Sequence, residues 1–425
     1  MSRLTLIALL AAALAGRAAA DDAATPRFFI EQIDIRNVVR VPAAIVKSES
    51  LLREGSEYTE DELRAAAARL TRLPFLTAVD FALEKGSERG RHVLVINVTE
   101  AKPFFFLIDA PLTVHTERQE SVDFDIDPDI NPDSVALGFR WFLGGHGVVH
   151  LGLTARHDRQ EFTSDYSAAA IGYTRYDLFG THAFATVNLR VPLDSPERGS
   201  ISPQLVAGIP LTTRQTLTLD YEDTIFRRTA SRIFGVAYGR TDAQRLISFT
   251  WTYNSTDQPF VPRRGSILRI APLYSMRDRA AIGFIDLNPT PYAQHVNGFG
   301  VDVDALRYWE VSPRNSVSAG ALAGWANVDD RVEPATLRVH EVRWKPSYEV
   351  AQVGLSHDLR RDESQSGDSR LELEARVIRR QREVTRGDEG FGRTPNDQMA
   401  YQASARWVRR SSWGVLRLGF GYSWR

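Results

Sequence analysis

Histidines and carboxylates are the first side chains to question for chemistry in this chain of 425 residues. His146 and His150 stand four apart, and on a strand that spacing keeps both on one face without by itself making a metal site. Asp329-Asp330 and "RRDES" at 360–364 read as solvated loop charges rather than as paired catalytic carboxylates. The nine histidines are scattered, and no H-E-x-x-H, G-x-S-x-G, P-loop or dinucleotide fingerprint occurs. No residue is thereby assigned a catalytic, cofactor-binding or metal role. Serine and histidine are both present, so composition alone leaves a hydrolase open.

The more informative charges are those that alternate with apolar residues. Asp220 and Glu222 interleave with Leu217, Leu219 and Tyr221, and Asp302 and Asp304 with Phe299, Val301, Val303 and Ala305. Glu372, Glu374 and Arg376 interleave with Leu371, Leu373, Ala375 and Val377. Ala136, Gly138 and Arg140 do so with Val135, Leu137, Phe139, Trp141 and Leu143. In "WGVLRLGFGYSWR", Leu416, Leu418, Phe420, Tyr422 and Trp424 share one face, opposite Val415, Arg417, Gly419, Gly421 and Ser423. A two-residue period with a greasy face ending in aromatics and a small or charged face is what a strand between lipid and a wet lumen requires.

Bulk properties narrow the setting. Lys+Arg 52 against Asp+Glu 53 gives a net charge of −1, so no basic field argues for nucleic acid. Cysteine is absent, which excludes disulfides and suits an envelope protein. Arg3, the apolar run "LTLIALLAAALAG" and Ala18-Ala19-Ala20 form a secretory leader over residues 1–20. That run is shorter than the ~20 residues of a spanning helix. A sheet in lipid has to close, because unpaired edge groups there cost several kcal/mol each. Residues 103–425 carry about 16 candidate strands, an even number being expected if both chain ends face one side. Among them are 229–240, 336–344 and 347–358 (split at Lys345-Pro346), and 369–380 taken together with 397–409.

The front of the chain follows other rules. "RFFIEQIDIRNVVR" at 27–40 alternates Phe29, Glu31 and Asp34 with Ile30, Ile33 and Ile35, as a strand. "VPAAIVKSESLL" is a short helix started by Pro42. Thr59 and Glu62 form a capping box for a second helix, whose stripe is Leu63, Ala66, Ala67 and Leu70 and which Pro74 stops. Two strands follow, "FLTAVDFALEKG" and "HVLVINVTE". The order β-α-α-β-β over 27–101 makes the whole chain mainly β, with a small α+β domain ahead of a transmembrane antiparallel barrel.

On "IEQIDIRN", "LREGSEYTEDELRAAAARL", "LPFLTAVDFAL" and "LVINVTEAKP", residues 27–101 resemble a POTRA (polypeptide-transport-associated) domain. Arg36-Asn37 departs from the Gly-Asn usual there. In the barrel region, "TYNSTDQPFVPRRGSILRIAPLY" resembles a recurring segment of the BamA/TamA and two-partner-secretion superfamily, through Asn254, Asp257, Pro262, Arg264 and Gly265. Turn chemistry accounts for these as a tight periplasmic reversal. "WFLGGHGVVHLGL", "YTRYDLFGTHAFATVNL", "NSVSAGALAGWA" and "LRVHEVRW" resemble other strands of that superfamily. Its long loop with Val-Arg-Gly-Phe/Tyr is replaced by "NVDDRVEPA" at 327–335. There Arg331 is the stand-in for the inward-reaching arginine and Glu341 its acidic partner. "VTRGDEGF" at 384–391 looks similar but lies in the wrong place.

The resemblance implies a Gram-negative outer-membrane barrel with its POTRA domain in the periplasm. It also implies no cofactor, with lipid, unfolded or β-prone client polypeptides, and periplasmic chaperones or accessory lipoproteins as partners. A short exposed sheet edge takes extended clients by strand addition, and Asp80, Phe81, Ala82, Leu83, Glu84 and Lys85 are the expected client-binding edge. Three functions stay open: capture of polypeptides for insertion or translocation, a passive channel that has lost the loop motif, and an outer-membrane hydrolase.

Overall fold

A computed structural model describes residues 26–116, 126–129, 134–156, 166–193, 201–228, 232–233, 236–237, 240–258, 261–285, 288–333, 341–360, 368–386 and 396–424. The expected leader lies outside them. The front module comprises β1 (Arg27–Arg36), α1 (Ala43–Ser50), β2 (Ser56–Thr59), α2 (Glu60–Thr71), β3 (Leu76–Lys85) and β4 (Arg91–Glu100). Its sheet runs β2-β1-β4-β3, with β1 and β4 parallel and the outer pairs antiparallel. The strand β2, absent from the sequence reading, is only four residues long and carries no periodicity to detect.

Local chemistry explains these elements. The Thr59 hydroxyl accepts from the Glu62 N–H at 3.3 Å while the Glu62 carboxylate accepts from the Thr59 N–H at 2.7 Å, a complete capping box. A register shift between Ile30 and Gln32 resets the phase of β1. Ile30 and Ile33, three apart, therefore both face the core. Ile45, Val46, Leu63, Ala66, Leu70 and Leu94 complete that core between the two helices and one face of the sheet. Asn37 takes a left-handed turn (φ 65°), a conformation asparagine tolerates, where β1 ends.

The rest of the chain makes a closed ring. Its strands are β5 (Phe104–Thr116), β7 (Ser134–Phe142), β8 (Gly147–Arg156), β9 (Tyr166–Leu178), β10 (Ala183–Pro192), β11 (Ser202–Thr212) and β12 (Gln215–Arg228). They continue with β15 (Arg240–Asn254), β16 (Gly265–Ile285), β17 (Asn288–Ser312), β18 (Asn315–Glu333), β19 (Glu341–Arg360), β20 (Ser369–Arg386), β21 (Asn396–Ser411) and β22 (Gly414–Trp424). A short β6 (Ile126–Asp129) adds to β5, and β13 (Arg232–Ile233) pairs only with β14 (Val236–Ala237).

Fifteen strands therefore close the barrel, near the expected 16. All neighbours are antiparallel except the seam, where β22 runs parallel to β5 from Gly414 beside Phe106 to Trp424 beside Thr116. An odd ring requires one such parallel pair, because both seam strands leave the same end. Three strand assignments change accordingly. Residues 229–240 do not form a ring strand among the described residues. Residues 336–344 and 347–358 belong, where described, to the single strand β19, and 369–380 and 397–409 fall in two strands, β20 and β21. Pro346 is tolerated within β19 because the ladder to β18 is interrupted there, between Trp325↔Ser347 and Val328↔Trp344.

The alternation resolves into outside and lumen. Phe139, Trp141, Ile171, Leu219, Phe249, Leu373, Phe420 and Tyr422 stand exposed on the outer wall. The other face is polar: His150 meets Asn188, Asn188 donates to Gln204, and Gln204 donates to Asp220, at 2.8 to 3.0 Å. A closed sheet that is apolar outside and polar inside is the arrangement lipid demands. Among the described residues no helix is long and apolar enough to cross a membrane, a test that says nothing of strands.

Candidate functional site

The informative region is where the module meets the end of the barrel from which β5 and β22 both start, here termed the foot. Phe75, just past α2, packs edge-on against Phe142 and Tyr176 at ring distances of 5.4 and 5.7 Å. Arg140 donates to the Pro74 carbonyl, Arg214 pairs with Asp61 at 2.8 Å, and Ser48 meets His182 at 3.2 Å. Arg410 on β21, only 2% exposed, donates to the Thr77 carbonyl of β3. The module core and the foot form one apolar cluster, with Val148 and Tyr176 buried in it. The contacts come from several sides of the ring, so the module is docked across the mouth at this end.

Docking divides β3 in two. Leu76–Val79 are buried, whereas from Asp80 to Lys85 exposed residues alternate with the half-buried Phe81 and Leu83. Phe81 and Leu83 pack on the module core. β3 is an edge strand that pairs with β4 alone. The six residues expected to bind clients thus lie on the half of an edge that the barrel does not cover. A salt bridge from Arg36 to Glu84 at 2.7 Å spans β4 beside this half.

A second feature was hidden in the sequence. Between β15 and β16, the described residues 255–258 and 261–264 make no tight reversal. They belong to a strap that reaches the opposite wall, where Val261 is buried against Val408, Val415 and Leu107 on β21, β22 and β5. The Asn254 side chain accepts from the N–H and hydroxyl of Thr256, and Asp257 accepts from the N–H groups of Arg263 and Arg264. Gly265 has φ +105°, and a β-carbon there would sit 2.4 Å from the Ser255 carbonyl, so only glycine fits. Arg370, 2% exposed, donates to Asp358 at 2.7 Å and to the Pro262 carbonyl at 2.9 Å. Arg263 Nε lies 2.7 Å from the other Asp358 oxygen, without the alignment of a hydrogen bond. Arg263 and Arg370 thus clamp the strap through one buried carboxylate. Sequence reasoning found the turn residues and missed Arg263, Asp358 and Arg370: Asp358 and Arg370 lie 12 positions apart on neighbouring strands, but the strap they hold is about 100 positions away, and the ion-pairing types were the only signal.

The remaining expectations fall as follows. Arg331 and Glu341 are register partners across β18 and β19, while their side chains lie outside the described residues. Residues 327–333 belong to β18 rather than to a loop, so Asp329 and Asp330 are strand residues. His146 lies in the turn before β8 and only His150 lies on that strand, so the two do not share a strand face. Residues 361–364 of "RRDES" lie outside the described residues, as do 387–391 of "VTRGDEGF". Among the described residues no group of three or more metal-ligating side chains gathers. Beside the Ser48–His182 contact, Asp177 accepts from the His182 backbone N–H rather than its ring, so a hydrolase triad is not formed there.

Burial pushes the Glu49 carboxyl up from its usual range, against the pull of Arg69 at 2.7 Å. Burial likewise pushes Arg72 down to about 10, with Arg69 and Arg214 adding to the effect. Burial also raises Glu100, but the backbone N–H groups of Val41, Val39 and Arg40 and the Arg40 side chain outweigh it and hold this carboxyl below its usual range.

No family model and no curated protein matches the chain. Among solved structures it aligns with BamA from Haemophilus ducreyi lacking POTRA domains 1–3, at 10% identity and a TM-score of 0.37, over 93% of this chain and 84% of that one. It also aligns with CdiB from Acinetobacter baumannii, at 8% identity and a TM-score of 0.36, over 90% of this chain and 69% of that one. Alignments at this level carry no argument, and the fold rests on the strand ladders themselves.

Proposed function

We propose that this chain is an outer-membrane barrel that captures extended polypeptides through its periplasmic module and assists their insertion into, or passage across, the membrane. The observation that carries this reading is the outer half of β3, residues 80–85, which pairs with β4 on one side and, among the described residues, with no strand on the other, beside a docked remainder. An edge strand offers a row of backbone donors and acceptors that reads main chain rather than sequence, which suits unfolded or β-prone clients. The POTRA resemblance of residues 27–101 and the superfamily turn residues support the same reading, with chaperones or accessory lipoproteins as helpers.

Proline substitution tests it. Successive N–H groups along β3 point alternately toward β4 and away. Of Phe81→Pro and Ala82→Pro, the variant that loses the outward N–H keeps its heat-modifiable gel mobility and drops photo-cross-linking to an extended β-prone peptide by about tenfold. Undiminished cross-linking in both variants removes the capture role. A passive channel is the second reading, favoured by the polar lumen around Asp220 and Asp302. Large, steady conductance in planar bilayers, with no defect in other outer-membrane proteins on depletion, would select it.

A further inference from the structure

Between the docked module and the lumen wall lies a cavity of about 270 Å³, lined among others by three arginines and one glutamate. Arg69 and Arg72 come from the end of α2, Arg214 from the turn between β11 and β12, and Glu49 from the end of α1. The charges do not balance locally. Among the described residues, Glu49, 1% exposed, is held by Arg69, and its other oxygen has no hydrogen-bond partner. Arg214 turns to Asp61. Arg72 has a single bond, to the Thr256 carbonyl of the strap at 3.2 Å, and its buried Nε is unpartnered.

With Arg69 paired to Glu49 and Arg214 to Asp61, Arg72 is left, among the described residues, with a carbonyl as its hydrogen-bond partner and a buried free donor, a poor resting arrangement for the protein by itself. It is a good arrangement for an oxyanion, because guanidinium donors match phosphate oxygens in spacing and charge. Thr174, Thr216 and Thr252 border the same space. These threonines alternate with the outward-facing Tyr173, Leu217 and Trp251, so the cavity opens on the lumen side rather than on lipid.

We propose that this cavity binds a phosphate-class oxyanion, which bridges α2 to the barrel foot and holds the module docked. Whether the barrel inserts or conducts makes no difference to this site.

The test is calorimetric titration of the full chain, in phosphate-free detergent, with inorganic phosphate and separately with a soluble short-chain phosphatidic acid. Phosphate is expected to bind at one site, Arg72→Gln to weaken it by about tenfold or more, and the remote, exposed Arg89→Gln to leave it unchanged. Tighter, Arg72-dependent binding of the phosphatidic acid supports the site with a lipid headgroup as the source of the anion. Absence of binding by both ligands, or equal affinity in Arg72→Gln, overturns the proposal. If Arg72→Gln loses heat-modifiable mobility, Thr216→Val serves in its place. A severalfold loss of affinity is then expected, and full affinity overturns the assignment.

Discussion

Leu94 in the module and Leu373 in the barrel are both leucines of well-paired strands, yet one is 0% exposed and the other 50%. The difference lies in what covers the strand. Two helices lie on the module sheet, so its apolar face is a protein core. None of the described residues covers the outer face of the barrel, and its enclosed side is taken by hydrogen-bonded polar groups instead. A strand leucine therefore ends up in a protein core or on the outer wall according to what covers it, and each placement can be tested by asking which site resists change.

The largest effect belongs to the strap. Asp358→Ala leaves Arg263 and Arg370 buried without their shared carboxylate and is expected to destabilise the barrel by about 3–5 kcal/mol. Urea titration monitored by gel mobility measures it; a change below ~1 kcal/mol would mean that the strap is not clamped. Leu94→Ala is expected to cost about 2–5 kcal/mol of module stability. Leu373→Ala, losing only detergent contact, should cost less than ~1 kcal/mol. Equal losses would erase the contrast between the two regions.

Smaller still is the cap. Thr59→Ala should cost about 1 kcal/mol, read as faster amide exchange in the first turn of α2. The last prediction concerns pH. Glu100 is held below its usual range, so its contribution is full above the unfolded value of about 4.3 and is lost as pH falls through the lower folded value. Amide exchange at Val39, Arg40 and Val41, corrected for intrinsic rates, should speed up in that acid window. In Glu100→Gln the exchange should already be fast at neutral pH.

Legibility followed the range of the interactions. The capping box, the stripe from Leu63 to Leu70 and the alternation of β7, β12, β17, β20 and β22 are local, and all could be read from spacing. The exposed edge at 80–85 came with the POTRA resemblance rather than from spacing, and the strand order places it at the sheet's rim. The odd ring was not, because its parallel seam depends on the direction of β22 relative to β5, some 300 positions away. Neither was the strap: Asn254, Asp257 and Gly265 look like any turn until Val261 is seen against Val415 on the far wall. Residue Pro346 misled for a related reason. Proline ordinarily ends a strand, and only the gap in the neighbouring ladder shows why this one does not.

The central claim is that the ring faces lipid with one side of each strand and water with the other. The chain has no cysteine, so single introduced thiols report unambiguously. Neighbours Ala405 and Ser404 on β21 point outward and inward respectively. With fluorophores on Ala405→Cys and Ser404→Cys in vesicles containing brominated lipid, strong quenching is expected at 405 and little at 404. Equal quenching at both positions, or none at either, would contradict a barrel in lipid.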